Sequence, residues 1–234
     1  MPTYLRYQSA SGTAYGILEG ETVREIQGGL FDGSPSTITH SLSEVKPLYP
    51  CQPTKIMAVG LNYRSHLGSR PQPAHPEMFY KPVSALQNPG DPIILPTDAS
   101  DTHSEGELVV VIGKQAKNLS KEEAGGAIFG VTCGNDVSDR SWQHGDKKDL
   151  QWWRAKGSDT FAPLGPYVVT GLDYGNLLLQ TRMNGEVIQK QYTSDLIFDC
   201  ASVVSWVSGW VTLMPGDVME VEIEGIGALR NPVK

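Results

Sequence analysis

Glu105 and Glu107 stand two residues apart at the head of the apolar run 108–112, and a third carboxylate, Asp136, follows the strand-like stretch FGVTCGN. Side chains alternate along an extended chain, so both glutamates share one face and Gly106 falls on the other. Gly106 adds no bulk there, which lets another chain segment approach. Three carboxylates from two strand ends make a hard, all-oxygen set that suits Mg²⁺ or Mn²⁺ and leaves positions for water and substrate. Spacing alone leaves a second reading open, in which the E-x-E pair is a solvated strand face.

The elements that must position these groups are mainly strands. Residues 1–50 read as a small N-terminal β segment, with strands at 3–8, 14–18 and 22–26 separated by Ser-Gly and Gly-Glu turns. Pro47, Pro50 and Pro53 predict a linker, and residues 55–234 form the larger domain. KIMAVG (55–60) reads as a buried strand and the polar segment 61–76 as a mobile loop. Further strands are expected at 78–80, 92–95, 105–112, 128–133, 165–169, 177–183 and 219–223, and Asn184-Gly185 predicts a hairpin turn. Ser120, with Glu122 and Glu123 behind it, opens one helix, and apolar spacing predicts another over 198–210. The fold class is mainly β with a few helices.

Bulk properties exclude several functions. The formal net charge is -7 and no basic cluster stands out, which argues against a nucleic-acid partner. An acidic substrate stays compatible with this charge if a metal and local cations reverse the field inside the site. No apolar run is long enough to span a bilayer and the first ten residues lack a signal-peptide core, so a cytoplasmic protein with no membrane partner is expected. Cys51, Cys133 and Cys200 are odd in number and widely spaced, as reduced thiols would be.

Seven segments, in order, resemble the fumarylacetoacetate hydrolase superfamily: GLNYRSH (60–66), FYKP (79–82), HSEGELVVVIGK (103–114), GNDVSDRSWQ (134–143), AKGSDTFAPLGP (155–166), MNGE (183–186) and EIEGIGALRNPV (222–233). The resemblance implies a mixed β-roll or β-sandwich with a small N-terminal β appendage, assembled as a homodimer. It also implies that Glu105, Glu107 and Asp136 are the metal ligands, that Lys156 and His66 are catalytic, and that Arg140, Gln143 and Tyr63 contact substrate. The substrate would be a small oxo acid of the acylpyruvate or oxo-dicarboxylate type. Such an acid can chelate a divalent metal, which then stabilises the charge released when the neighbouring bond breaks. Hydrolytic C–C cleavage is the leading expectation. Isomerisation like that of 2-hydroxyhepta-2,4-diene-1,7-dioate, or decarboxylation of an oxaloacetate-type acid, is the alternative. A non-catalytic metal- and ligand-binding relative is a third.

Two departures from the family pattern bear on that choice. Ser69 stands where the hydrolases place a glutamate three residues after the lid histidine, so His66 lacks the carboxylate that would orient it to activate water. Glu77 is the substitute if the loop folds back. Near the C-terminus, Pro215-Gly216-Asp217-Val218 runs straight into MEVEIEGIG, where the family has a G-T-P-x-G loop and a second G-D. The five tryptophans read as core or dimer-interface residues, and His103 as a group behind the metal ligands or at a strand edge.

Overall fold

The computed structural model describes residues 1–146, 148–220 and 226–234. Alternation organises the first fifty. Strands β1 (Thr3–Ser9), β2 (Gly12–Glu19) and β3 (Thr22–Gln27) form an antiparallel meander that buries Leu5, Tyr7 and Val23 against Val45. A fourth strand, β4 (Ser34–Ser41), pairs with β3 and was not expected, because SPSTITHS is polar and carries Pro35. It lies at the sheet edge, where one row of backbone groups faces water and a missing N–H is tolerated. The short β5 (Lys46–Leu48) pairs with β1.

The remaining described residues add twelve strands and four α-helices. In order these are β6 (Ile56–Gly60), β7 (Glu77–Lys81), β8 (Leu86–Gln87), β9 (Thr102–His103) and β10 (Gly106–Ile112). Then come α1 (Lys121–Ala124), β11 (Ile128–Asn135), β12 (Ser138–Asp139), α2 (Arg140–Gln143) and α3 (Trp153–Gly157). They are followed by β13 (Ala162–Pro163), β14 (Val168–Val169), the hairpin β15 (Leu178–Met183) with β16 (Glu186–Tyr192), α4 (Cys200–Trp210) and β17 (Val218–Glu220). One mixed sheet of eleven strands runs β4-β3-β2-β1-β14-β11-β10-β17-β6-β7, with β5 attached to β1. The β1–β14 pairing, at Thr3↔Val169 and Tyr4↔Val168, joins the N-terminal meander to the larger part. The expected mainly β, mixed-sheet class is what the chain adopts.

Strand β10 shows why LVVVI carries no alternation. Leu108, Val110 and Ile112 enter one apolar cluster with Val203, Val204 and Val207 of α4, whereas Val109 and Val111 enter another with Ile56, Leu164 and Val168. A strand covered on both faces has no polar row. Each such side chain gains roughly 1.5–3 kcal/mol from burial, which holds β10, the strand that begins between Glu105 and Glu107, firmly in the sheet. Helix α4 starts where Asp199 accepts the Ser202 N–H at 2.8 Å, and α1 starts on a reciprocal Ser120–Glu123 capping box.

Other expectations need revision. Residues 92–95 form a single bridge, Ile93↔Val233, rather than a strand, and 165–169 reduces to β14 after a cis Gly165–Pro166 bond. Of the strand expected at 219–223, residues 221–223 lie outside the described residues. The base of the 61–76 loop is fastened: Asn62 bonds both backbone groups of Phe198, Arg64 donates to Leu196 O, and Ser65 donates to Asp195. Among the described residues no helix is long and apolar enough to cross a membrane. All three cysteines are free thiols, and burial pushes each up to about 12.

The P-G-D turn ahead of β17 is locked by Asp217, which is fully buried. Its carboxylate accepts from Thr54 N, Thr54 Oγ1, Lys55 N, Lys55 Nζ and Met214 N. Asp217→Ala leaves these donors without an acceptor and is expected to cost about 3 kcal/mol. Denaturant unfolding checks this; an unchanged midpoint would show that water takes over the role.

Candidate metal centre and the cations around it

Two adjacent strand ends bring the acids together. Glu105 immediately precedes β10, Glu107 lies in it, and Asp136 immediately follows β11. Antiparallel pairing sets Gly106 opposite Asn135, the Glu105 N–H donates to Asn135 Oδ1 at 3.0 Å, and the Asp136 N–H donates to Glu105 O at 2.8 Å. One carboxylate oxygen from each of Glu105, Glu107 and Asp136 lies within 4.8 Å of the other two. Asp136 Oδ1 is buried and accepts no hydrogen bond among the described residues. Three converging carboxylates with only oxygen donors fit a hard divalent cation, and the Lys81 ammonium is the neighbour of Asp136 Oδ1.

Gly106 lies close against the hairpin behind it. Its N–H donates to Thr181 Oγ1 at 3.1 Å and Gln189 Oε1 at 3.0 Å, and a Cβ there would lie 2.3 Å from Thr181 Oγ1. In Gly106→Ala the Thr181 hydroxyl must yield and lose its bond with the Gly106 N–H, between the two glutamates. The substitution is expected to destabilise by roughly 1–3 kcal/mol and to weaken Mn²⁺ binding, which isothermal calorimetry can follow.

Among the described residues three cations face the acids. Lys156, on the short helix α3, is buried, with Nζ 2.8 Å from Glu105 Oε2, 2.7 Å from Ser138 Oγ, and bonded to Asp136 Oδ2. Arg140, at the start of α2, donates to Glu105 Oε1 and to Gln143 Oε1. Lys81, at the end of β7, sits 2.6 Å from Asp136 Oδ1. That contact is an ion pair, and the same ammonium also donates to the carbonyls of Lys156, Phe161 and Val137. Burial would raise Glu105, but Lys156 and Arg140 outweigh it and hold its carboxyl down at about 2. Burial would lower Lys156, but Asp136 and Glu105 reverse this and raise it above its ordinary value. At neutral pH Lys156 is therefore a cation and not a base.

Asp139 fixes the rest of the frame. It is fully buried, caps α2 through the Ser141 N–H, and accepts from Ser100 N, Asp101 N and Thr102 Oγ1. Arg140 and Gln143 are thereby aimed from a helix of one turn. Lys81 and Ser138 had no expected role. Their signals were the inward period of β7, where Phe79 and Lys81 are buried around exposed Tyr80, and the position of Ser138 two residues after Asp136.

Two further expected residues lie on the segment that follows β6. His66 is exposed on a turn after Tyr63, its ring 5.3 Å from the Tyr63 ring, and no ion pair or hydrogen bond joins its side chain to another described residue. Tyr63 is buried in the core cluster with Leu196. Glu77 does not serve His66: it opens β7 and faces His75, with His75 Nδ1 3.8 Å from Glu77 Oε1. His103 pairs in register with Ser138 and bonds Asp101 at 2.9 Å. Of the tryptophans, Trp142 is core, whereas Trp153 and Trp210 are exposed. After the P-G-D turn the chain enters β17 directly, between β10 and β6, and residues 221–225 lie outside the described residues.

Comparison with known proteins places these observations. Residues 55–219 match the family described as fumarylacetoacetate (FAA) hydrolase C-terminal, and residues 3–50 match the one described as Rv2993c-like, N-terminal. Protein Rv2993c of Mycobacterium tuberculosis is 41% identical over 260 aligned positions, covering 97% of this chain and 96% of that protein. Those 260 positions exceed the 234 residues of this chain, so at least 26 of them have no residue here. The mitochondrial oxaloacetate tautomerase FAHD2A of Bos taurus is 41% identical over 81% of this chain and 62% of its own length. The crystal structure of 5-carboxymethyl-2-hydroxymuconate delta-isomerase from Mycobacterium smegmatis superposes with a TM-score of 0.92 at 39% identity, over 100% of this chain and 99% of that one. Maleylpyruvate hydrolase from Sphingobium sp. SYK-6, solved with manganese(II) and pyruvate, gives 0.75 at 26% identity, over 97% and 90%.

Proposed function

This chain belongs to the fumarylacetoacetate hydrolase family, and we propose that it is a divalent-cation-dependent enzyme that interconverts tautomers or isomers of a 2-oxo dicarboxylate. The reading is carried by one observation: Glu105, Glu107 and Asp136 converge within 4.8 Å while Lys156 and Arg140 pair with the same carboxylates. Oxygen ligands of this kind select Mg²⁺ or Mn²⁺. A cation held there supplies Lewis acidity toward a chelating 2-oxo acid.

The chain's own residues supply the remainder. Lys156, kept charged, offers a positive field to the substrate oxygen on which negative charge builds when a proton leaves C3. Arg140 retains donors beyond those given to Glu105 and Gln143, and its planar fork suits a substrate carboxylate. Tautomerisation breaks a C–H bond and forms an O–H bond; the C3 proton passes to solvent water and one returns from solvent to the enolate oxygen, so no water is consumed. That agrees with an exposed His66 that has no carboxylate partner among the described residues, since hydrolysis needs an oriented base to activate water. The tautomerase and isomerase names of two similar proteins support the same class.

C–C bond hydrolysis is the second reading, and the manganese- and pyruvate-bound maleylpyruvate hydrolase supports it. The test follows keto–enol conversion of oxaloacetate, its CO₂ release and cleavage of an acylpyruvate on one Mn²⁺-loaded preparation. Tautomerisation should dominate, stop with EDTA and return with Mn²⁺. Turnover that survives thorough chelation would sink the metal mechanism, and faster acylpyruvate cleavage would select the hydrolase.

A further inference from the structure

Lys81 has no part in the chemistry above, yet its side chain is the least exposed of the charged groups at the site. Its ammonium donates to Lys156 O at 2.6 Å, Phe161 O at 2.8 Å and Val137 O at 3.4 Å, and lies 2.6 Å from Asp136 Oδ1. Burying a cation is costly, and an apolar side chain of similar volume often holds two elements together at least as well. Anchorage of β7 to α3 therefore does not account for a charge at this position.

The balance of charge does. Among the described residues the cluster contains three carboxylates, Glu105, Glu107 and Asp136, and three cations, Lys156, Arg140 and Lys81. Lys156 and Arg140 are the cations that can trade a protein partner for a substrate. Lys81 is sealed behind Asp136 with its hydrogen bonds given to backbone carbonyls, so toward a substrate it offers charge and no contact. A divalent cation added to a cluster balanced in this way leaves it two charges positive. Without Lys81 the same centre would be only one charge positive. Resting on the reading that these carboxylates hold a divalent cation, we propose that Lys81 is a permanent buried counter-charge that sets the site's selectivity for doubly charged anions. It is a specificity-determining residue that never touches the substrate.

Lys81→Met removes the charge at nearly equal volume, and Lys81→Gln removes it while keeping donors for the carbonyls. Mn²⁺ affinity is read from the electron paramagnetic resonance of free Mn²⁺. Anion affinity is read by calorimetry of oxalate and of acetate on Mn²⁺-saturated protein. Both variants should bind Mn²⁺ at least as tightly as the wild type, bind oxalate about tenfold more weakly, and lose less affinity for acetate. Lys81→Arg should stay nearest the wild type for oxalate. Unchanged oxalate affinity, or parallel losses of Mn²⁺ and oxalate, would overturn the proposal and leave Lys81 a structural anchor. If Lys81→Met shows no thermal transition, Lys81→Gln carries the comparison. A wild-type protein that binds no Mn²⁺ overturns the functional reading and this proposal together, an outcome distinct from a failure of the variants alone.

Discussion

Asp136→Asn is expected to abolish saturable Mn²⁺ binding and to lower kcat/KM by at least about 10²-fold. Asp136 is where the strand framework and the charge network meet: one oxygen bonds Lys156, the other faces Lys81, and its N–H is bound by Glu105 O. An amide in its place keeps the shape and removes a charge that both lysines require. These side chains are almost wholly buried, so stranding their cations should also cost about 3–5 kcal/mol. Saturating Mn²⁺ stabilises a protein that binds it only when folded. The wild type should therefore gain Tm with Mn²⁺ and the variant should not. A variant that keeps both the Mn²⁺-induced shift and turnover would show that Asp136 is no ligand.

Lys156→Met should separate binding from chemistry. Mn²⁺ affinity is expected to persist, because the three acids remain, while kcat falls by about 10²–10³-fold through the loss of the charge that faces the reacting oxygen. Stability should change with pH in a defined way. Glu105 is held at about 2, below its unfolded value near 4.5, so its contribution is full above 4.5 and is lost as pH falls toward 2. Lys156 is raised above its unfolded value near 10.5, so its contribution is full below 10.5 and is lost as pH rises through the higher folded value. Removing Lys156 should flatten both limbs: Tm declines less steeply between pH 4.5 and 2, and the loss above pH 10.5 weakens. Thermal melts across pH check this, and limbs as steep as those of the wild type would place the coupling elsewhere.

Much of the scaffold was legible because it follows from local rules. Period-two alternation marked the three long strands of the meander, Asn184-Gly185 marked the β15–β16 hairpin, and Ser120 and the 198–210 spacing marked two helices. Strand β4 was hidden because an edge strand obeys no burial pattern. The strand expected at 92–95 proved to be a single bridge to the C-terminal tail, a partner nearly 140 residues away that no local window contains. His66 and Glu77 show the same limit. A loop folding back would have brought Glu77 to His66, but at the start of β7 the Glu77 carboxylate faces His75.

The E-x-E pair, its glycine and the acid after FGVTCGN were readable as possible ligands from spacing, and the order of the motifs around them gave the family. Sequence could fix those because strand alternation and motif order are properties of the chain itself. That Asp136 meets Glu105 and Glu107 within 4.8 Å was decided by the register of β10 on β11. That a side chain at Gly106 would meet the Thr181 hydroxyl was decided by a hairpin 75 residues later. That Lys81 stands behind Asp136 was decided by packing of β7 on α3. Charge balance at a site depends on which side chains converge across the fold, and convergence is the one quantity that a linear pattern does not carry.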